Sequence, residues 1–265
     1  MLAAASWGQT PDGVTIMKRS VAADNRQEEL RRDYTYDTLT ESRELDSRGK
    51  VKKTTTTKTE VLTLGPKRLR MVVEKDGKPL PPAEAKKEKE KFAKAAQEVA
   101  AMSPAEKQRR ITEENRRLNA ERAKFQHIPE AFTFTVLGEE SIDGRPAWKI
   151  RADPVPTYSG PYAFAMRNLE GTVWIDKADY AWVKVEADTL GTVSFGWYLA
   201  RIAKDSKLRL ESRKVNDQLW APSKIYLRAT GRLALVKAVR IDEDITFSNY
   251  RKFQTDSKII ASEPR

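Results

Sequence analysis

Side chains that commonly catalyse reactions or bind metals are scarce in this sequence. It has no cysteine, which excludes disulfides, thiolate zinc sites and thiol catalysis. Its single histidine, His127, precedes Pro129 at the end of a predicted helix, where a helix C-terminal role is expected. The sequence motifs of serine hydrolases, nucleotide-binding loops and zinc proteases are absent from it. We therefore predict no enzymatic activity, no cofactor and no metal.

The densest acidic group is the run Asp242-Glu243-Asp244. It lacks the loop spacing and the glycine of a calcium-binding loop, so we interpret it as a solvated strand segment. A pair of carboxylates that act as acid and base leaves no sequence signature, and none is assigned. A hydrolase hidden in a cleft stays open as a third hypothesis, and a buried polar cluster with shifted pKa values would indicate it.

The composition is that of a soluble basic protein. The net charge is +11, which favours attraction to nucleic acid, anionic lipid or an acidic partner. However, no block of five or six like charges occurs, so we interpret the basicity as a well-solvated surface and predict no nucleic-acid role. No apolar run of 18 residues occurs, which predicts no membrane span.

The first residues resemble the end of a secretory signal peptide. Ser6 and Gly8 are small residues at the spacing that a signal peptidase needs, and Ala3 and Ala5 offer a second choice. The charged region and most of the apolar region of such a peptide are missing. Residues 1–9 are therefore either a signal-peptide remnant or a disordered tail, and the first interpretation predicts a periplasmic location.

The elements that must position any site are mainly strands. Period-two alternation begins near Arg31, and it returns after Pro129 and continues to Tyr250. Ten or more consecutive strands with short links imply antiparallel pairing, and a sheet this large must curl, split or close. The predicted fold is mainly β (α+β): a curved antiparallel sheet or incomplete β-barrel of about ten to eleven strands. Residues 10–265 are predicted to form this single domain.

Helical patterns interrupt the strands twice. Residues 14–30 have helical spacing, and Asp12 can cap them. Residues 82–126 are predicted to be a charged two-helix insertion. Its first helix begins at Pro82, and its second begins at the capping box of Ser103. Each helix of the insertion has only a narrow apolar seam, so the pair cannot be a buried core. It is a candidate lid, handle or dimer contact, or a docking element for an envelope protein.

Strand alternation predicts an apolar concave face. A one-residue slip in a strand would swap its members for their neighbours. The predicted inward side chains are Phe132, Phe134, Val136, Trp148, Ile150, Val173, Ile175, Val183, Val185, Leu208, Leu210, Ile225 and Leu227. Residues 190–203 form the most apolar stretch, as a buried strand or a short helix, and serve either as core or as a flap. Phe195 and Trp197 of this stretch complete the predicted ligand-binding set.

Four motifs of the second half resemble a known family. The motifs are Gly138-Glu139-Glu140 followed by Gly144-Arg145-Pro146, residues 171–177 (G-T-V-W-I-D-K), Leu219-Trp220-Ala221-Pro222 and residues 247–253 (F-S-N-Y-R-K-F). Together they are similar to the periplasmic lipoprotein-carrier superfamily (LolA-like and LolB-like proteins) and to outer-membrane lipoprotein-sorting proteins. The resemblance implies an incomplete barrel with helices over its open side, a hydrophobic cavity for the acyl chains of lipoproteins, no cofactor and no reaction.

Two function hypotheses follow for the concave face. In the first, it binds an apolar ligand such as a lipid or a lipoprotein acyl chain, which gains about 0.8 kcal/mol for each methylene removed from water. In the second, the same side chains form a filled core, and the chain is a structural or interaction protein of the envelope that docks through residues 82–126. An open apolar face distinguishes the first from the second.

Overall fold

A computed structural model describes residues 11–46, 48–195, 200–233 and 237–252. The predicted signal-peptide remnant and Trp197 lie outside these ranges, so those two predictions stay untested. Within them the chain forms thirteen strands, five α-helices and one 3-10 turn.

The strands form one antiparallel sheet that does not close into a barrel. Eleven of them run in the order β4-β3-β2-β1-β13-β12-β11-β8-β7-β6-β5, and β10 and β9 extend from β12. The predicted curved, incomplete barrel is confirmed. The strands are β1 (Tyr34–Leu45), β2 (Val51–Leu64), β3 (Lys67–Lys75), β4 (Lys78–Pro79), β5 (Phe132–Ile142), β6 (Arg145–Pro154), β7 (Leu169–Asp176), β8 (Trp182–Thr189), β9 (Val193–Phe195), β10 (Ala200–Ile202), β11 (Lys207–Val215), β12 (Leu219–Leu233) and β13 (Lys237–Lys252).

Short turns set the antiparallel order in the second half. The link between β11 and β12 contains Asn216 and Asp217, both with positive φ (49° and 54°). Successive residues with positive φ give a tight turn whose twist matches the flanking strands. The first strand joins the sheet through a long-range ladder instead, because β1 pairs with β13 from Tyr34 opposite Lys252 to Ser42 opposite Glu243.

Helix α1 (Gly13–Arg31) lies on the apolar face of the sheet. Asp12 caps it by accepting a hydrogen bond from the Thr15 amide at 2.9 Å. Ile16 and Met17 are fully buried against β5, β6 and β7. Gly13 lies so close to Phe134 that a Cβ there would be 2.7 Å from the Phe134 carbonyl oxygen. The sequence predicted this helix, but not that it fills part of the concave side.

The predicted insertion forms helices α2 (Pro82–Ala101) and α3 (Pro104–Arg122). Helix α2 covers an edge of the sheet: the Val72 amide donates to Glu88, and Lys91 donates to the Arg70 carbonyl. These bonds satisfy backbone groups of β3 that would otherwise offer an edge for aggregation. Ser103 caps α3 as predicted, since its hydroxyl oxygen accepts the Glu106 amide at 3.1 Å.

The end of α3 is tied to α1 by charge. Arg122 contacts Asp24 at 2.7 Å and Glu28 at 2.9 Å. A 3-10 turn (Ala123–His127) and helix α4 (Ile128–Ala131) then lead into β5, and helix α5 (Ala163–Met166) lies between β6 and β7. No helix in the described part of the chain combines the length and apolarity that a membrane crossing requires.

Candidate ligand-binding face

One row of directly paired residues crosses ten strands of the sheet. Directly paired residues share a face, so the row can be followed from strand to strand. In order from β5 to β3 it comprises Val136, Ile150, Val173, Val185, Leu210, Ile225, Ile245, Thr40, Thr57 and Lys75. A second row, one pleat further along the strands, comprises Phe134, Ala152, Gly171, Ala187, Leu208, Leu227, Glu243, Ser42 and Thr55.

The β5–β7 part of these rows is buried beneath α1. Ile150 is fully buried and Val173 is 6% exposed, and both belong to one cluster with Ile16, Met17 and Val21. Trp148, Phe134 and Ile175 lie in the same cluster, and Phe132 and Val136 pack against it. This part of the face is therefore core, since a protein helix already occupies the position that a ligand would take.

The central part of the rows is apolar but only partly buried. Leu208 is 38% exposed. Val185, Leu210, Ile225, Leu227 and Ile245 are half-buried. We call the four adjacent residues Val185, Leu210, Ile225 and Ile245 the aliphatic row. With strands about 4.8 Å apart, it spans roughly 14 Å across β8, β11, β12 and β13.

The aliphatic row has a buried apolar end and a polar end. On the β8 side Val185 packs against the α1 cluster. On the β13 side the next residues across the sheet after Ile245 are Thr40 and Thr57. In the second row the next residues after Leu227 are Glu243 and Ser42. Glu243 accepts a hydrogen bond from the Ser42 hydroxyl at 3.0 Å. An extended apolar molecule on this row would thus have one dry end and one end near hydroxyl and carboxylate groups.

Twelve of the thirteen predicted inward side chains share this face, and Val183 is the exception. A bulge in β8 pairs Trp182 with Ile175, so Trp182 joins the α1 cluster while Val183 lies in another cluster with Ala181 and Trp220. Strict alternation in β8 was therefore wrong at Val183. Phe195 lies in the short strand β9, and Trp197 is outside the described residues. Conversely, the sequence reasoning missed Ile245, although its spacing from Phe247 placed both on one side of β13.

The four family-like motifs meet at the end of the sheet where β7 ends and β12 begins. The Asp176 carboxylate is fully buried and accepts two hydrogen bonds from Arg145, at 2.7 and 3.0 Å. Asp179 accepts from Arg145, Lys214 and the Trp220 indole at 2.8–3.0 Å. We call Arg145, Asp176, Asp179, Lys214 and Trp220 the motif cluster.

The last motif and helix α1 are attached to the same end of the sheet. The Tyr250 hydroxyl donates to the Pro222 carbonyl at 2.7 Å, and burial raises the pKa of Tyr250 well above its ordinary value. Arg31 and Gln27 of α1 bond the backbone of Trp220. The motifs therefore connect three hairpin turns, the end of β13 and helix α1, and they lie away from the aliphatic row.

The motif cluster is a polar group around one buried carboxylate, that of Asp176, and a buried polar cluster is the feature expected of a hidden hydrolase. The pKa shifts of its residues do not favour acid–base catalysis. Burial alone would raise the pKa of Asp179, but the bonds from Lys214 and Trp220 and the charge of Arg145 outweigh it and lower that pKa. The bond to Asp176 raises the pKa of Arg145. Both groups stay charged at neutral pH, so neither is suited to transfer protons there.

The acidic run in β13 differs from its prediction. Asp242 is only 6% exposed, not solvated, and it pairs with Arg43 at 2.9 Å and with Arg228 at 3.6 Å. Asp244 also pairs with Arg43, and both bonds raise the pKa of that arginine. The run is therefore an ion-pair network that holds β1 to β13. Within the described ranges no three metal-binding side chains come together.

The sequence matches no protein-family model and no curated protein. Solved structures that resemble the chain include one provisionally described as an outer membrane lipoprotein-sorting protein domain from Vibrio parahaemolyticus (12% identity, TM-score 0.36, 92% of this chain and 95% of that one). A LolA superfamily protein from Nitrosomonas europaea gives 9% identity, TM-score 0.33 and coverage of 92% and 94%. A DUF1329 family protein from Desulfovibrio piger gives 11% identity, TM-score 0.32 and coverage of 94% and 96%. The first two are of the kind that the sequence motifs resemble.

Proposed function

We propose that this chain is a non-enzymatic carrier or binder of an apolar ligand in the bacterial cell envelope. The proposed ligand is an acyl chain of a lipid or lipoprotein, and the proposed location is the periplasm. The observation that supports this is the half-buried aliphatic row, which continues the α1 core without being covered by it. A contiguous apolar row that protein side chains cover only in part is a candidate surface for an apolar ligand.

The aliphatic row offers an apolar surface, which is the main requirement for binding an acyl chain. Each methylene moved from water onto the aliphatic row gains about 0.8 kcal/mol, and the contact requires no directional bonds. Thr40, Thr57 and Ser42 at the β1 side of the face are neutral groups near which the polar head of a lipid can stay hydrated. No residue is assigned a catalytic role, and no cofactor is needed.

The test is binding of anthroyloxy-labelled palmitate to the double variant Leu210→Gln/Ile225→Gln. Each replaced side chain contributes about half of a full Leu or Ile burial, about 1 kcal/mol, so we expect affinity to fall roughly thirtyfold. The matched control is Glu211→Gln/Lys224→Gln, which changes the neighbouring pair on the opposite face and leaves the net charge unchanged. The control should bind like the parent protein.

Mass spectrometry of lipid extracted from the purified protein provides an independent measurement. Co-purifying lipid that the row variant loses supports the proposal. Probe binding that the row variant leaves unchanged would place the ligand elsewhere and refute it. Absence of both lipid and probe binding would favour the alternative, an envelope interaction protein that docks through α2 and α3.

A further inference from the structure

The positive charge of the chain is concentrated at one end of the sheet. Residues 46–53 carry four cationic side chains and one acidic one, and residues 228–240 carry four cationic side chains and no acidic one. Together these two segments hold seven of the eleven net charges, and residues 84–124 hold the other four. The rest of the chain is neutral overall. We call the described cations Arg48, Lys50, Lys52, Lys53, Arg228 and Arg240 of these two segments the basic end.

The two segments come together in the fold although about 180 residues separate them in the chain. The β1–β13 ladder brings the β1–β2 turn beside the start of β13: Arg43 contacts Asp242 at 2.9 Å, and Arg240 and Lys52 both act electrostatically on Asp46. A Cβ at Gly49 would lie 3.9 Å from a terminal nitrogen of Arg228. Cations from β2, β12 and β13 therefore form one surface.

The acidic groups around the basic end are already engaged. Asp46 accepts the amides of Arg48 and Lys50, at 2.8 and 2.9 Å, and these bonds keep it within its own turn. Asp242 and Asp244 are paired with Arg43, and Glu44 lies opposite Lys53 in the ladder. In contrast, no ion pair is found for Arg48, Lys50 or Lys52 within the described residues. These three side chains are exposed and free to meet an external anion.

The shape of the basic end fits a flat surface. Residues 48–54 are exposed at every position, so this start of β2 and its turn project beyond the core on both faces of the strand. Val51, 46% exposed, lies between Lys50 and Lys52. An apolar side chain flanked by lysines suits the boundary between lipid headgroups and acyl chains, whereas a nucleic-acid backbone offers Val51 no apolar partner.

We propose that the basic end docks the protein on an anionic phospholipid surface. Each basic side chain close to such a surface strengthens binding by roughly fivefold, and salt weakens the attraction. Leu208 and Leu227 of the concave face lie towards the same end of the sheet, since Lys207 opposite Arg228 is the next pair in the ladder. Docking would thus bring the exposed apolar face near the bilayer. The inference does not depend on the face binding an acyl chain.

The test is co-sedimentation with phosphatidylcholine vesicles prepared with and without phosphatidylglycerol. The parent protein should bind only the anionic vesicles, and sodium chloride should release it. Arg48→Gln/Lys50→Gln/Lys52→Gln should bind them roughly a hundredfold more weakly. The matched control is Lys86→Gln/Lys87→Gln/Lys89→Gln, which removes the same charge from the exposed side of α2 and should lose only a few-fold.

Several outcomes would overturn the proposal. Equal losses in the two triple variants would show an unspecific effect of net charge. Binding of a double-stranded oligonucleotide by the parent protein, without vesicle binding, would identify a nucleic acid as the partner. Labelled-palmitate binding separates this inference from the proposed function: the basic-end variant should keep it, and Leu210→Gln/Ile225→Gln should keep vesicle binding.

Discussion

The replacement Asp176→Asn tests whether the motif cluster holds the fold together. The carboxylate of Asp176 is fully buried and accepts four hydrogen bonds, two from Arg145 and two from the amides of Ala178 and Asp179 at 3.0 and 2.7 Å. Three of these bonds end at Oδ1, so the asparagine oxygen can keep them, but its NH2 group then replaces Oδ2 opposite Arg145 Nε. Arg145 therefore loses one acceptor and its buried counter-charge.

The expected cost follows from the burial of the two partners. Breaking a buried ion pair by removing one charge costs about 3–5 kcal/mol. The side chain of Arg145 is 35% exposed, so water can partly solvate it and the lower end, about 3 kcal/mol, is the expected loss of unfolding free energy. Adding Arg145→Met removes the cation that has lost its partner. The double variant should therefore lose about 1–3 kcal/mol less unfolding free energy than the two single variants lose together.

Urea unfolding measures these free energies, with tryptophan fluorescence and circular dichroism as two probes of one transition. The control is Asp153→Asn, whose partner Arg151 is exposed, and it should change stability little. The folded Asp176→Asn protein should also bind labelled palmitate as the parent does. A cost no larger than that of the control, or additive single variants, would refute the structural role of the cluster.

Two further predictions concern backbone packing and pH. Gly171→Ala places a Cβ 2.4 Å from the Glu186 carbonyl oxygen of the neighbouring strand, so we expect a loss of about 1–3 kcal/mol in urea unfolding, against a much smaller loss for adjacent Thr172→Ala. A Gly171→Ala protein as stable as the parent would contradict the close approach of β7 to β8. The pKa of Asp179 in the folded protein lies below its ordinary value of 3.8, so its ionisation stabilises the fold above that pH, and this contribution is lost as pH falls below 3.8 towards the folded pKa. Asp179→Asn should therefore flatten the fall in unfolding free energy over that range, and an unchanged pH profile would contradict the assignment.

Local patterns were enough to predict most of the elements. Helix α1, its cap at Asp12 and the cap of α3 at Ser103 depend on side-chain bonds within three residues, which a sequence displays directly. Strand alternation placed Ile150, Val173 and Leu210 on one face because the period of a strand is independent of its partners. The same rule failed at Val183, since a bulge depends on how two strands pair and leaves no signature in one of them.

The features that the sequence did not predict depend on contacts between residues far apart in the chain. Whether the apolar face is open or filled depends on where α1 lies, and its contacts with β5–β7 join residues more than 100 positions apart. The burial of Asp242 likewise depends on Arg43, about 200 positions earlier in the chain. The motifs that carry the family resemblance were predicted to accompany a ligand cavity, yet they meet at the motif cluster.

This separation has a consequence for how such chains diverge. The motif cluster fixes the turns at one end of the sheet around the buried carboxylate of Asp176, which tolerates little substitution because loss of its charge costs about 3 kcal/mol. The aliphatic row and the basic end depend instead on the amount of apolar surface and of positive charge, which many sequences can supply. Under the two proposals made above, a chain with the same motifs can therefore have another ligand or another docking surface. Leu210, Ile225 and Ile245 are then the positions at which ligand preference is expected to vary.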